Sequence, residues 1–261
     1  MIKINNTIIN SAILDMDGVL WRSNQPLCDL EELFSSFNRL NIKVLMATNN
    51  GLRTVNQYIE KFKSFGVQIE PWQILTSAIA TGYLAKKHFP KGGPVYIMGE
   101  DALFSTMKEF DFYHSEKEPQ AVIAGLTKHL TYEMIKNTSL QIQKGIPFIF
   151  TNPDPTYPSP EGNIPGAGTV LAALETASGV KAKLAGKPLP FLFNVGLERL
   201  NAKPCETLVI GDRLSTDILG GQQAGCNTAL VLTGISNKND YENWSPRPDL
   251  LLINIMDLFS L

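Results

Sequence analysis

A chain of 261 residues that is 44% hydrophobic and 18% charged has the composition of a folded protein rather than a disordered one, with room for one large domain or a domain carrying a smaller one. Its formal net charge of -2 excludes a global pull toward nucleic acid or an anionic membrane, so any anion site must be built locally. No stretch of about 18 apolar residues and no leader-like N-terminus is present, and three scattered cysteines (Cys28, Cys205, Cys226) without a C-x-x-C argue against a disulfide framework or a zinc site; a protein of the reducing cytoplasm is expected.

Residues 11–14 and 43–47 (KVLMA) are short apolar runs that read as strands. Between them, Leu30, Leu33, Phe34, Phe37 and Leu40 have the spacing of an amphipathic helix, so the first fifty residues predict a β-α-β unit with a ligand edge at the strand C-terminal ends. The middle of the chain alternates independently, with strand-like 95–98, 121–124 and 148–150 and helix-like 102–110 and 132–144. Residues 151–168 (TNPDPTYPSPEGNIPGAG) carry prolines at 153, 155, 158, 160 and 165, which predicts a long, rigid loop, either a binding element or a plain surface connection. Near the other end, strand-like 207–210, helix-like 217–224 and strand-like 228–232 repeat the opening grammar. The pattern predicts a Rossmann-like parallel-sheet core (1–77 and 185–261) with an inserted α/β cap (78–184).

The strongest chemical signal is Asp15-Met16-Asp17-Gly18, two carboxylates closing an apolar strand. Carboxylates crowded at one strand end repel each other unless a hard cation such as magnesium compensates them, whereas alone the same letters also fit a solvated acidic turn. A third carboxylate, Asp212, closes the strand at 207–210. Asp217, five residues on, fits either a helix cap or a group orienting metal-bound water. Thr48-Asn49-Asn50-Gly51 follows the 43–47 strand at the expected start of a helix, where such residues bind phosphate or simply cap. Lys187, in Ala185-Gly186-Lys187-Pro188, can balance phosphate charge; Arg22 and Arg53 can do so too, although surface arginines are the commoner case.

In this order, D-x-D-G, a threonine after a strand, a lysine and G-D-x-x-x-x-D resemble the haloacid dehalogenase-like phosphatase superfamily. DMDGVLW, ATNNGLR, TNPDPTYP with PGAGT, AGKP and GDRLSTDI resemble its subfamily IIA, which holds NagD-type, 4-nitrophenyl phosphate and phosphoglycolate phosphatases. The resemblance spans nearly the whole chain. It implies that Asp15 is a nucleophile forming an aspartyl-phosphate and that Asp17 is general acid, then base. Thr48 would bind the phosphoryl group, with Asn49 and Asn50 beside it, and Lys187 would balance its charge. Mg2+ would be held by the Asp15 and Asp212 carboxylates and the Asp17 backbone carbonyl, with Asp217 holding its water. Asn152 and Asp154 would reach the substrate from a cap loop. The pattern departs at Gly125-Leu126-Thr127, where many relatives carry an acidic residue in the last position.

Such chemistry is sensible on its own terms, since phosphoryl transfer rests on in-line positioning and on neutralising the equatorial oxygens. A dehalogenase on the same scaffold needs neither Asp17 nor Asp212. A phosphotransferase and a non-catalytic phosphate-binding or scaffold protein are the remaining alternatives, and the second predicts a lost motif where none is lost. The expected partner is a small phosphorylated metabolite: a sugar phosphate, a nucleotide monophosphate, phosphoglycolate, pyridoxal phosphate or an aryl phosphate. Neither nucleic acid nor membrane is expected, and the sequence leaves open whether the chain is a homo-oligomer.

Overall fold

The computed structural model describes residues 1–159 and 161–260, and of Pro158 only the backbone. Its principal elements begin with β1 (Ser11–Leu14), α1 (Leu30–Arg39), β2 (Lys43–Thr48), α2 (Val55–Ser64), β3 (Ile74–Thr76), α3 (Ser77–His88), β4 (Gly93–Met98), α4 (Asp101–Glu109), β5 (Phe112–His114), β6 (Val122–Ala124) and α5 (Tyr132–Ile142). They continue with β7 (Phe148–Phe150), β8 (Thr156–Ser159), β9 (Gly162–Pro165), α6 (Ala167–Ser178), β10 (Lys183–Leu184), α7 (Pro190–Leu200), β11 (Thr207–Gly211), α8 (Leu219–Gln223), β12 (Asn227–Val231), α9 (Lys238–Glu242) and β13 (Leu250–Leu252). These elements form two compact units, residues 1–48, 55–75 and 187–261 in one and residues 49–54 and 76–186 in the other.

The first unit is built on a six-stranded sheet in the order β13-β12-β11-β1-β2-β3. The pairings from β13 through β2 are parallel. Every residue of β1 and β11 is buried, as a parallel strand covered on both faces requires. α1 forms where the sequence predicts it: Asp29 caps it by accepting from the Glu32 amide at 3.0 Å, and its Leu30, Leu33 and Phe37 turn into the core. The helix stops at Arg39, and Asn41 takes a left-handed backbone (φ 55°) before β2 begins. β1 has β2 on one side and β11 on the other, so the chain reverses its winding there, at the place where parallel sheets bind ligands.

The second unit has its own five-stranded parallel sheet, ordered β10-β7-β6-β4-β5. Alternate residues serve opposite cores. Tyr96, Met98, Val122, Ala124, Phe148 and Phe150 pack on one face, while Val95, Ile97, Ile123 and Ile149 pack on the other. Both units are therefore α/β with parallel sheets, as the alternating pattern predicts.

Three local expectations are corrected. Residues 49–54 group with the second unit rather than with the preceding strand, because the Asn49 carbonyl accepts from Ser77 Oγ (2.7 Å) and Asn152 Nδ2 (2.8 Å). The helix expected at Thr48-Asn49-Asn50-Gly51 begins only at Val55. The proline-rich stretch is not an irregular loop throughout, since β8 and β9 pair antiparallel with Tyr157 opposite Ile164. A two-stranded ribbon is all edge, so prolines that a central strand would reject are tolerated. Pro160, one of the residues on which the loop reading rests, lies outside the described residues.

Candidate active site

The sheet of the first unit brings three acidic groups and one lysine together. Asp15 directly follows β1, and its amide donates to the Ile210 carbonyl at 2.8 Å, so its backbone is held by the neighbouring strand. Asp212 directly follows β11, the strand paired with β1. Lys187 Nζ donates to Asp15 Oδ1 and to Asp217 Oδ1, each at 2.6 Å. One carboxylate oxygen from each of Asp15, Asp212 and Asp217 falls within a 4.8 Å set.

Asp217 corrects the capping alternative. It lies in a π-helical turn, Leu214–Ile218, where the Leu219 amide bonds five residues back to the Leu214 carbonyl, and it precedes α8 rather than capping it. The wider turn rolls its carboxylate back toward β11, where Oδ2 accepts from the Arg213 amide at 3.2 Å and Oδ1 meets Lys187.

Burial pushes the Asp15 carboxyl well above its ordinary value, with Lys187 opposing and the carboxylates of Asp217 and Asp212 adding to the rise. Burial likewise raises Asp212 to about 7, assisted by Asp217 and opposed by the Ile235 amide. Burial alone would lower Lys187, but its two carboxylate partners outweigh it and hold the ammonium protonated. Fully ionised, three carboxylates and one ammonium would leave two negative charges in a nearly dry cluster. That deficit and this all-oxygen donor set fit a hard divalent cation.

Asp17 stands apart from that cluster. Its Oδ1 accepts from the indole Nε1 of Trp21 at 3.0 Å. Gly18, between them, takes φ +90° and passes so close to Asp212 that a Cβ would lie 2.5 Å from its Oδ2. A larger residue there would be strained and would displace the Asp212 carboxylate. The Gly18 carbonyl accepts from Thr233 Oγ1 at 2.6 Å, and the Ile235 amide donates to Asp212 Oδ2 at 2.8 Å. Thr48 is buried at the end of β2, two residues beyond Met46, the partner of Leu14, and so stands at the same sheet edge as Asp15.

Asn49, Asn50, Asn152 and Asp154 belong to the second unit. Asn49 Nδ2 donates to Asp154 Oδ2 at 3.0 Å, and Asn152 Nδ2 to the Asn49 carbonyl, so these three form one knot. Asn50 Oδ1 accepts from the Leu52 amide at 3.1 Å, an Asx turn. Arg22 donates to the Thr233 carbonyl at 2.8 Å. The sequence reading singled out neither Trp21 nor Thr233. The only signal for Trp21 was its place three residues after the D-x-D-G glycine.

Residues 12–113 match the family model described as haloacid dehalogenase-like hydrolase, and residues 184–258 match the one described as HAD-hydrolase-like. The chain is 33% identical to dihydroxyacetone phosphatase of Corynebacterium glutamicum over 97% of its own length and 91% of the relative's. It superposes on the crystal structure of 4-nitrophenylphosphatase from Thermotoga maritima with a TM-score of 0.91 and 31% identity, covering 97% of each chain. Glycerol phosphate phosphatase of Mycobacterium tuberculosis, solved in complex with magnesium, gives a TM-score of 0.89 at 28% identity over 99% of this chain and 78% of that one. The chain belongs to the haloacid dehalogenase-like hydrolases, in subfamily IIA, and is a phosphatase. No helix among the described residues is long and apolar enough to cross a membrane.

Proposed function

We propose that the protein hydrolyses small phosphate monoesters through a phosphorylated Asp15, with magnesium as its resident cation. The observation that carries this reading is Lys187 Nζ held 2.6 Å from both Asp15 and Asp217 at the ligand edge of the sheet, with Asp212 in the same cluster.

In this reading an Asp15 oxygen attacks phosphorus as the phosphorus–oxygen bond to the leaving group breaks, and Asp17 gives its proton to the departing oxygen. Asp17 then takes a proton from water, whose oxygen attacks the same phosphorus. The bond to Asp15 breaks and orthophosphate leaves. Thr48 binds the transferring group, while Lys187 balances its charge and fixes Asp15; Asp217 fixes Lys187 in turn. The Asp15 and Asp212 carboxylates and the Asp17 backbone carbonyl would hold magnesium, and Asp217 its water. The ion would supply the positive charge that the equatorial oxygens and the crowded carboxylates require.

The second unit is proposed as the inserted cap of the expected 78–184 segment. Asn152 and Asp154, with Asn49 and Asn50, are its contribution to substrate recognition. Relatives named for dihydroxyacetone phosphate and glycerol phosphate support a small polyol or sugar phosphate as substrate. Free thiols at Cys28, Cys205 and Cys226 support a reducing cytoplasmic setting. The decisive experiment is a phosphomonoester screen with and without magnesium, run beside Asp15→Asn. We expect magnesium-dependent release of phosphate that Asp15→Asn abolishes while remaining folded. Normal turnover by Asp15→Asn would end the covalent reading.

A further inference from the structure

We infer that Trp21 is a positioning residue for the reaction: its indole N–H fixes Oδ1 of Asp17 and thereby leaves Oδ2 as the oxygen that exchanges the proton with the leaving group and with water. The inference rests on the proposed acid and base role of Asp17 and deepens it.

The backbone around Asp17 is already immobile. The Gly18 amide donates to the Trp21 carbonyl at 2.8 Å and the Leu20 amide to the Met16 carbonyl at 2.9 Å, while Thr233 clamps the Gly18 carbonyl. What remains free is the Asp17 side chain, with two torsions and two chemically equivalent oxygens. A carboxyl that rotates presents the proton in many directions, of which few lie along the bond being broken.

Trp21 removes that freedom because it cannot itself move. Its side chain is wholly buried. It packs edge-on against Phe62 with ring centroids 5.0 Å apart, and tilted against Phe65 at 5.9 Å. Lys61 Nζ sits 3.8 Å from the ring centroid and donates to the Ser23 carbonyl at 2.8 Å, pinning the ring face. Both Lys61 and Phe62 come from α2, so one helix sets the direction of the N–H.

The chemistry of the donor matters as much as its rigidity. An indole nitrogen only donates, whereas a serine, tyrosine or histidine in the same place also accepts. Trp21 therefore holds Asp17 without competing for the proton that Asp17 must deliver and recover. Nor is the indole required for packing alone: a phenylalanine of similar outline would meet the same aromatic neighbours but leave Oδ1 without this bond.

The test is Trp21→Phe, compared with wild type on an alkyl phosphate, whose leaving oxygen needs a proton, and on 4-nitrophenyl phosphate, whose leaving group departs without one. With magnesium saturating, we expect kcat/KM, which reports the steps up to departure of the leaving group, to fall by about 10- to 100-fold on the alkyl ester and by less than about 3-fold on the aryl ester. Equal falls on the two esters, or none, in a folded variant would overturn the inference. Where Trp21→Phe fails to fold, Phe62→Leu loosens the ring while keeping its N–H, and the same split between esters, smaller in size, is required. Asp17→Asn is the control for the underlying reading. If that variant shows no ester-dependent loss, the acid role of Asp17 fails. If it does and Trp21→Phe does not, only the role of Trp21 fails.

Discussion

Nζ of Lys187 lies 2.6 Å from Oδ1 of Asp217, and both side chains are almost wholly out of solvent. The lysine is thus bound from behind as well as from the Asp15 side, which fixes its nitrogen between two carboxylates instead of leaving it on a flexible stem. Removing it would leave two buried carboxyl groups without their cation. Lys187→Ala should lower stability by roughly 3–5 kcal/mol, read from urea denaturation, and should cut kcat by at least about 100-fold. A stability change below about 1 kcal/mol would mean that water already reaches the cluster.

Metal removal should act on the fold as well as on turnover. Treatment with a chelator is expected to abolish phosphate release, and added magnesium to restore it. Because a ligand bound only by the folded state stabilises it, magnesium at about 100 times its Kd should add about 2.7 kcal/mol to unfolding free energy. Calorimetry on Asp212→Asn should show that increment greatly reduced.

The acidity of Asp212 gives a pH prediction whose sign runs against the usual carboxylate case. Its folded value is raised to about 7, and that of Asp15 also lies above the ordinary carboxylate range of about 4. Between these values the metal-free folded state holds protons that the unfolded chain has released, so stability falls as pH rises through that window. Denaturation midpoints of the metal-free protein should therefore decline from pH 4 to 7, and saturating magnesium should flatten the slope. A metal-free midpoint that rose over this range would contradict the burial argument.

Asp154 anchors the Asn49 amide within the second unit at 3.0 Å. Asp154→Ala should release that amide and change the ranking of substrates more than the rate with a small activated ester. Specificity constants on several natural monoesters and one aryl phosphate measure this. A uniform fall across all of them would show that the Asn49–Asp154 knot supports the fold and does not select substrates.

What the sequence displayed was the chemistry that sits at strand ends. Asp15 and Asp212 each close an apolar run, and burial on both faces of a parallel sheet explains why those short continuous runs are strands, so two of the three carboxylates could be placed from letters alone. Partnerships across distance were hidden. Lys187 and Asp217 are 30 residues apart, and nothing local says that a π-helical turn will rotate Asp217 toward the lysine. The role of Trp21 was hidden too, because its polar end matters only once the Gly18 turn folds it back on Asp17. The β8–β9 ribbon was hidden by its own prolines, whose penalty applies to central strands and not to an isolated pair.

The place of β1 inside its sheet also bears on how the chain is made. β2 emerges from the ribosome soon after β1 and can cover one side of it, but the other side waits for β11, which begins at Thr207. At about 5–20 residues per second that wait is on the order of 10–40 seconds, during which a strand of four apolar or small residues directly followed by Asp15 has an open edge. Such an edge is a template for pairing with other nascent chains. Newly made N-terminal portions of this protein should therefore depend on chaperones until about the last fifth of the chain arrives, and truncations that end before residue 207 should aggregate rather than accumulate as a folded fragment.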